Sequence, residues 1–277
     1  MRVIPFVKMH GNGNDFIVID DREGRFATDE LGEMARRYCQ RRSSLGADGI
    51  LLVEKDSSVD YRMRLFNADG SEGEMCGNGA RCIARYAFEK GIAGVEQTFS
   101  TLAGTMRASV KPPFVELDMG VTSLADSWFN HALKALDRVY VASFMTVGVP
   151  HLVLFLEGGP LSRSRMTEAG RELRYNADLF PGGTNVNFIE GDGDSRIKSV
   201  TYERGVEGLT DSCGTGSAAS AIAWIMRDGR THSADALVEV ENPGGVNRVS
   251  LRFDPSGESV KVSLSGMTVM VAEGVLL

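Results

Sequence analysis

Cys76-Gly77-Asn78-Gly79-Ala80-Arg81 heads a run of good helix formers that closes at Gly91, and Cys213-Gly214-Thr215-Gly216-Ser217-Ala218 heads a second run that ends near Gly229. Ahead of the first, a strand ends at Leu65-Phe66-Asn67 and a loop follows. Ahead of the second, a strand ends at Thr201-Tyr202-Glu203-Arg204 and again a loop follows. Beyond each helix the pattern stays in step, with Thr101-Leu-Ala-Gly-Thr-Met-Arg107 in one half and Asn242-Pro-Gly-Gly-Val-Asn-Arg248 in the other. The two cysteines lie about half the chain apart, and two copies are too few for a solenoid. The repeat predicts two similar domains facing each other, each offering one Cys-Gly-x-Gly turn to a shared cleft.

Working outward, Leu31, Met34, Ala35, Tyr38 and Cys39 follow helical spacing, with Thr28 or Asp29 as the N-cap. Val59, Tyr61, Met63 and Leu65 alternate with Asp60, Arg62 and Arg64, the pattern of a half-buried strand that runs into a turn at Phe66-Asn67-Ala68-Asp69-Gly70. Thr98 to Val110, Phe114 to Met119, Val139 to Val147 and Leu152 to Leu156 read as strands, and Arg165 to Arg174 as a helix. The last forty residues alternate between Val-rich runs and turns such as Asn242-Pro243-Gly244-Gly245 and Pro255-Ser256-Gly257. Strand dominates, with a few helices.

The 277 residues carry 30 Lys+Arg against 37 Asp+Glu, a net charge of −7, so the field that gathers a phosphate backbone is missing and no nucleic-acid partner is expected. The opening residues contain no apolar run of signal-peptide length, and the apolar stretch around Ala218 to Met226 is too short to span a bilayer. A cytoplasmic protein with no membrane partner is the expectation. In a reducing compartment the even count of four cysteines says little about pairing.

A cysteine just ahead of Gly-x-Gly at a helix start sits where backbone N–H groups and the helix dipole favour negative charge, which lowers a thiol toward neutrality. The glycines let a ligand approach the backbone, so the same N–H groups can hold a substrate carboxylate. Two such turns offer a base to one face of a carbon and an acid to the other, as inversion requires. Like charges repel, so the pair favours one thiolate and one thiol. Backbone donors aimed at the carboxylate are the available means of stabilising the carbanion.

Cys39 and Cys82 read as core residues, and zinc is disfavoured because no Cys-x-x-Cys or Cys/His cluster of ligand spacing exists. Gly11-Asn12-Gly13 precedes a strand-like Phe16-Ile-Val-Ile-Asp20, which fails the dinucleotide pattern. His151 is either a hydrogen-bonded structural histidine or a functional one. Glu203 and Arg204 are neighbours on a strand and point to opposite sides, so they are not a simple mutual ion pair.

The chain resembles the diaminopimelate epimerase family along essentially its whole length. The resemblance lies in Lys8-Met-His-Gly-Asn-Gly-Asn-Asp-Phe16, Phe66-Asn-Ala-Asp-Gly-Ser-Glu72, Cys76-Gly-Asn-Gly-Ala-Arg-Cys82, Gly183-Thr-Asn-Val-Asn-Phe188, Tyr202-Glu-Arg-Gly205 and Cys213-Gly-Thr-Gly216. It implies a cofactor-independent epimerase, with no metal, that interconverts L,L- and meso-diaminopimelate for lysine and peptidoglycan precursors. It also implies an α/β (α+β) fold of two pseudo-symmetric domains, each a curled, mostly antiparallel β-sheet or barrel around a central α-helix, assembled as a homodimer. The N-terminal domain would take residues 1–120 plus 266–277 and the C-terminal domain 121–265, the last strand, about Thr268 to Leu277, returning to the first domain.

By the same resemblance Cys76 and Cys213 are the acid/base pair. The backbone of Gly77, Asn78, Gly214 and Thr215 holds the reacting carboxylate, and Asn14, Asn67, Asn185 and Arg204 read the distal amino-acid end. Glu203 accepts from an ammonium, and His151 and Glu203 tune the thiols. Val149, Leu209 and Gly49 depart from frequent family residues, which keeps open a racemase of another amino acid such as proline or histidine. A non-enzymatic thiol redox or metal-binding protein is the reading of a different class.

Overall fold

Small residues dominate the two helices that follow the Cys-Gly-x-Gly turns, and in the computed structural model, which describes residues 3–227 and 235–277, both helices are buried on nearly every side. A helix that is apolar all round belongs inside a domain. Gly229, the expected end of the second, lies outside the described residues. The chain divides into two compact units, residues 1–118 with 265–277 and residues 119–264.

The first unit starts with β1 (Ile4–Gly11), β2 (Asn14–Asp20), α1 (Thr28–Tyr38), β3 (Gly49–Glu54), β4 (Tyr61–Asn67) and β5 (Glu72–Gly73). It continues with α2 (Gly77–Glu89), β6 (Glu96–Thr101), β7 (Gly104–Lys111) and β8 (Phe114–Ser123). β9 (Trp128–Ala135) is an extra strand. The second unit then repeats the order with β10 (Arg138–Val147), β11 (Val149–Phe155), α3 (Arg163–Arg174), β12 (Asn185–Gly191), β13 (Arg196–Glu203) and β14 (Gly208–Thr210). It ends with α4 (Gly214–Arg227), β15 (Ala236–Asn242), β16 (Gly245–Phe253) and the start of β17 (Ser259–Leu276), which from Ser265 onward belongs to the first unit.

The pairing repeats with the order. β2 pairs with β3 in parallel and β11 with β12 in parallel; β4 pairs in parallel with β6 and β13 with β15; the hairpins β6/β7 and β15/β16 are antiparallel. In the first unit β1, β2, β3, β4, β6, β7, β8 and β17 pair in that sequence, and β17 pairs with both β8 and β1, closing a barrel. Closure leaves no strand edge open. In the second unit β9, β10, β11, β12, β13, β15 and β16 form the curved sheet. The architecture is therefore two pseudo-symmetric α/β units, each a curled, mostly antiparallel sheet around a central helix.

The core of the first unit packs Phe16, Leu51, Met63, Leu65, Phe99, Val115 and Leu117 around Ala80, Cys82, Ile83, Ala84 and Ala87 of α2. A Cβ at Gly79 would meet Leu51 Cδ2 at 3.1 Å, so the helix lies tight against β3. In the second unit Val153, Phe155, Ile189, Val238, Val249 and Val262 pack around Ala218, Ala219, Ile222 and Ala223 of α4. Cys39 is buried in a third cluster beneath α1, with Leu31 and Ala35.

Several local readings are corrected. The N-cap of α1 is Ala27, with no side-chain cap bond; Thr28 is the first helical residue, and its hydroxyl accepts from Arg64 Nη2 at 3.1 Å. β4 starts at Tyr61, two residues after Val59, and α2 runs from Gly77 to Glu89. Thr98 to Val110 is a hairpin, not one strand, turning at Leu102-Ala103. Asn242 closes β15, where its side chain bonds the backbone of Val240.

Candidate active site

In the first unit Cys76 occupies the N-cap of α2 with extended backbone, φ −138° and ψ 123°. The first bond of the helix runs from Ala80 N–H to Cys76 O at 2.7 Å, so the N–H groups of Gly77 and Asn78 lie ahead of the intrahelical ladder. Asn14 opens β2 opposite this turn. Its Nδ2 donates to Asp48 Oδ2 at 2.6 Å, which fixes the amide so that Oδ1 faces α2. That oxygen accepts from Cys76 Sγ and from Asn78 Nδ2, both at 3.3 Å, so Cys76 is held as a proton donor.

Asp48 belongs to an ion network that the sequence reading did not include. Arg41 Nη2 lies 2.6 Å from Asp15 and 2.8 Å from Asp48, and Lys8 Nζ lies 2.6 Å from Asp15 and donates to Gly46 O. Burial pushes the Asp15 carboxyl up, but hydrogen bonds from Arg41 and Lys8 outweigh it and hold the group below the usual carboxylate range. Asn67 ends β4, and its Nδ2 donates to Ser71 Oγ at 3.0 Å.

The thiol of the second unit accepts a hydrogen bond from its own helix start. Cys213 Sγ accepts the backbone N–H of Gly216 at 3.4 Å, in the manner of an N-cap oxygen, and lies 3.6 Å from Thr215 Oγ1. Ser217 N–H gives the first intrahelical bond, to Cys213 O at 2.9 Å, which leaves the N–H groups of Gly214 and Thr215 ahead of the ladder. Only glycine fits at 216. A Cβ there would stand 2.5 Å from Asn187 Oδ1, 3.0 Å from Thr201 Oγ1 and 3.1 Å from Cys213 Sγ.

Asn187, within a quoted motif but given no role there, settles the state of His151. Its Nδ2 donates to Leu152 O at 3.1 Å, and its Oδ1 accepts from Thr201 Oγ1 at 2.8 Å, so the amide has one orientation. The same Nδ2 lies 3.1 Å from His151 Nδ1, which must then be the acceptor, placing the proton on Nε2. That Nε2 is buried with no hydrogen-bond partner among the described residues. Burial, with Arg204 nearby, lowers His151 to about 3.

Asn185 bridges backbone. Its Nδ2 donates to Pro150 O at 3.2 Å and its Oδ1 accepts Arg204 N–H at 2.7 Å, while Arg204 Nη1 donates to Gly182 O at 2.9 Å. Burial raises the Glu203 carboxyl, opposed by a hydrogen bond from Thr210. Val149 opens β11, and Leu209 of β14 pairs with Tyr202. A Cβ at Gly49 would meet Phe66 O at 2.6 Å, so a longer side chain at this position has no room beside β4. All four cysteines are free, and among the described residues no group of three or more His, Cys, Asp or Glu side chains is placed to hold a metal ion. Among the same residues no helix is long and apolar enough to cross a membrane.

A histidine kept neutral in the fold and protonated once unfolded makes stability pH-dependent. His151 binds its proton below about 3 in the native state, against about 6.5 unfolded. Its contribution is present above the unfolded value and is lost as pH falls through that window, with a slope of up to about 1.4 kcal/mol per pH unit. Urea denaturation from pH 7 to 4.5 should show His151→Gln with a flatter pH dependence than the parent; parallel curves would show that His151 takes no part.

The diaminopimelate epimerase family model matches residues 6–125 and 143–267. The diaminopimelate epimerase of Archaeoglobus fulgidus is 42% identical, the match covering 91% of this chain and 90% of that one. That of Caldanaerobacter subterraneus is 40% identical, covering 97% and 98%. Among solved structures, a phenazine biosynthesis protein of Bacillus anthracis superposes with TM-score 0.76 at 15% identity, over 100% of both chains. A hydroxyproline epimerase of Agrobacterium vitis superposes with TM-score 0.67 at 17% identity, over 99% of this chain and 92% of that one. The structural likenesses show a shared fold; the family match and the sequence relatives establish that this chain belongs to the diaminopimelate epimerase family.

Proposed function

We propose that this protein interconverts L,L- and meso-diaminopimelate, with Cys76 and Cys213 as the acid/base pair and no added cofactor, acting as a cytoplasmic homodimer. The observation that carries the reading is the opposite bonding of the two thiols. Cys76 donates to Asn14 Oδ1, while Cys213 accepts from Gly216 N–H. A thiol that donates at one helix start and a sulfur that accepts a backbone N–H at the other suit the acid and base roles of a two-base inversion.

In the forward step the thiolate of Cys213 takes the α-proton, the electron pair moves onto the carbon and its carboxylate, and the Cys76 thiol returns a proton to the opposite face. The N–H groups of Gly77, Asn78, Gly214 and Thr215 hold the carboxylate on which charge accumulates, each such donor being worth up to about 2.7–4 kcal/mol in the transition state. His151 presents a neutral Nε2–H donor to the same chemistry. Glu203 and Arg204 carry the recognition of the distal ammonium and carboxylate, together with Asn14, Asn67 and Asn185. Diaminopimelate epimerase is the name carried by the relatives at 34–42% identity, and this favours diaminopimelate over a single-centre substrate.

The test is a substrate panel with reduced protein and no additive. Conversion of L,L-diaminopimelate to the meso isomer, with proline and histidine left untouched, is the expected result. Preferential racemisation of proline or histidine would replace the substrate while keeping the two thiols.

A further inference from the structure

Among the described residues Arg81 is the largest fully buried side chain, and it forms no ion pair with a carboxylate there. It is 0% exposed, and among the described residues no Asp or Glu pairs with it. Its Nη2 donates to Asn78 Oδ1 at 2.6 Å and its Nη1 reaches back to Gly77 O at 3.5 Å, which lays the guanidinium beneath the first turn of α2. Nε has no partner. The other side is closed by β17: a Cβ at Gly266 would stand 2.8–2.9 Å from Nε, Cζ and Nη2, so glycine is what lets the strand lie flat on the guanidinium.

A buried charge is costly unless an anion or a full set of acceptors compensates it. A cation under a helix N-terminus adds to the dipole instead of opposing it. Two acceptors, Asn78 Oδ1 and Gly77 O, compensate the guanidinium in part, and negative charge forming at this turn during function would compensate it further. We propose that Arg81 is the counter-charge of the Cys76 thiolate, a positioning residue that holds the first turn of α2 through Asn78 and stabilises the anion left when Cys76 gives up its proton. Asn14 Oδ1 keeps the proton on Cys76 at rest, and Arg81 makes its departure less costly. Desolvation lowers Arg81, and the fields of Cys82 and, after it, Cys76 raise it, so Cys76 is one of the two thiols felt from the guanidinium side.

The assignment rests on the acid/base reading of Cys76, and its test needs no turnover. In a Cys213→Ser background, the rate of Cys76 carboxymethylation by iodoacetate is followed against pH. Cys39 and Cys82 stay silent, because burial pushes their thiols up to about 11 and about 12. Arg81→Gln keeps a donor for Asn78 and removes the charge, so the alkylation midpoint should rise by about one pH unit. Arg81→Lys, which keeps the charge, should restore it. If the glutamine variant does not fold, Gly266→Ala displaces the guanidinium without removing it and should move the midpoint the same way. A midpoint unchanged in every folded variant among Arg81→Gln and Gly266→Ala would overturn the assignment. Failure to epimerise diaminopimelate would leave the alkylation result readable.

Discussion

Cys76→Ser and Cys213→Ser each lose inversion by at least about 10³-fold, because a serine hydroxyl has the right size and hydrogen bonds but cannot exchange a proton near neutral pH. The structure makes the experiment unusually clean. Serine at 76 can still donate to Asn14 Oδ1, and serine at 213 is a better N-cap acceptor for Gly216 N–H than the thiol it replaces. Both variants should therefore unfold at or above the parent temperature while being inactive. Cys39→Ala and Cys82→Ala should do the reverse, keeping activity while losing about 1–2 kcal/mol of stability, since both thiols only fill core space. Thermal denaturation and an epimerisation assay on the four variants check this. Activity retained in both serine variants would remove the two-thiol chemistry.

Asn187→Leu removes at least about 3 kcal/mol of stability, because a single amide satisfies three buried groups and each costs about 1–3 kcal/mol when orphaned. The groups are His151 Nδ1, Leu152 O and Thr201 Oγ1. The larger effect falls on activity. Without Asn187 the imidazole loses the contact that places its proton on Nε2, and Gly216, whose Cβ position faces Asn187 Oδ1 at 2.5 Å, loses the surface that seats Cys213. Urea denaturation gives the stability change, and ¹⁵N NMR of His151 gives the tautomer. A variant within about 0.5 kcal/mol of the parent, with the imidazole tautomer unchanged, would show the network to be incidental.

How far the sequence alone reaches can be judged at particular residues. The repeat was legible because Cys-Gly-x-Gly followed by small helix formers is a local signal, and the structure adds that the whole order from β1 to β8 recurs from β10 to β17. Cys39 is readable as core from helical spacing, and Cys82 from its place inside the helix that follows Cys76. The α1 cap was misread because Thr28 has the right chemistry for a cap but its hydroxyl faces Arg64, a partner from β4 that spacing cannot reveal. β5 and β14 are two- and three-residue strands held by tertiary pairing, too short for any periodicity.

The site divides along the same line. Cys76 and Cys213 announce themselves by context, whereas nothing in the sequence around Asn187 sets it apart from other polar residues. Its role depends on β11 lying parallel to β12, so that His151 and Asn187 meet across the pair. Arg81 is harder still. An arginine six residues into a Cys-Gly-Asn-Gly motif reads as an exposed helix face, and only the buried position under the first turn of α2 gives it meaning. Asp15, Arg41 and Lys8 likewise act on Asn14 through Asp48, a second layer that no motif spells out.

The claim that two separate groups move the proton is tested most directly by timing isotope entry in heavy water. Reduced protein is mixed with unlabelled L,L-diaminopimelate, and both isomers are recovered early in the reaction and analysed by mass and NMR. With distinct acid and base, the first meso product carries one solvent-derived α-deuterium while the remaining L,L isomer is still unlabelled. Label appearing in the recovered L,L isomer as fast as in the product would mean that one exchanging group serves both faces, and would contradict the assignment of Cys76 and Cys213 as a pair.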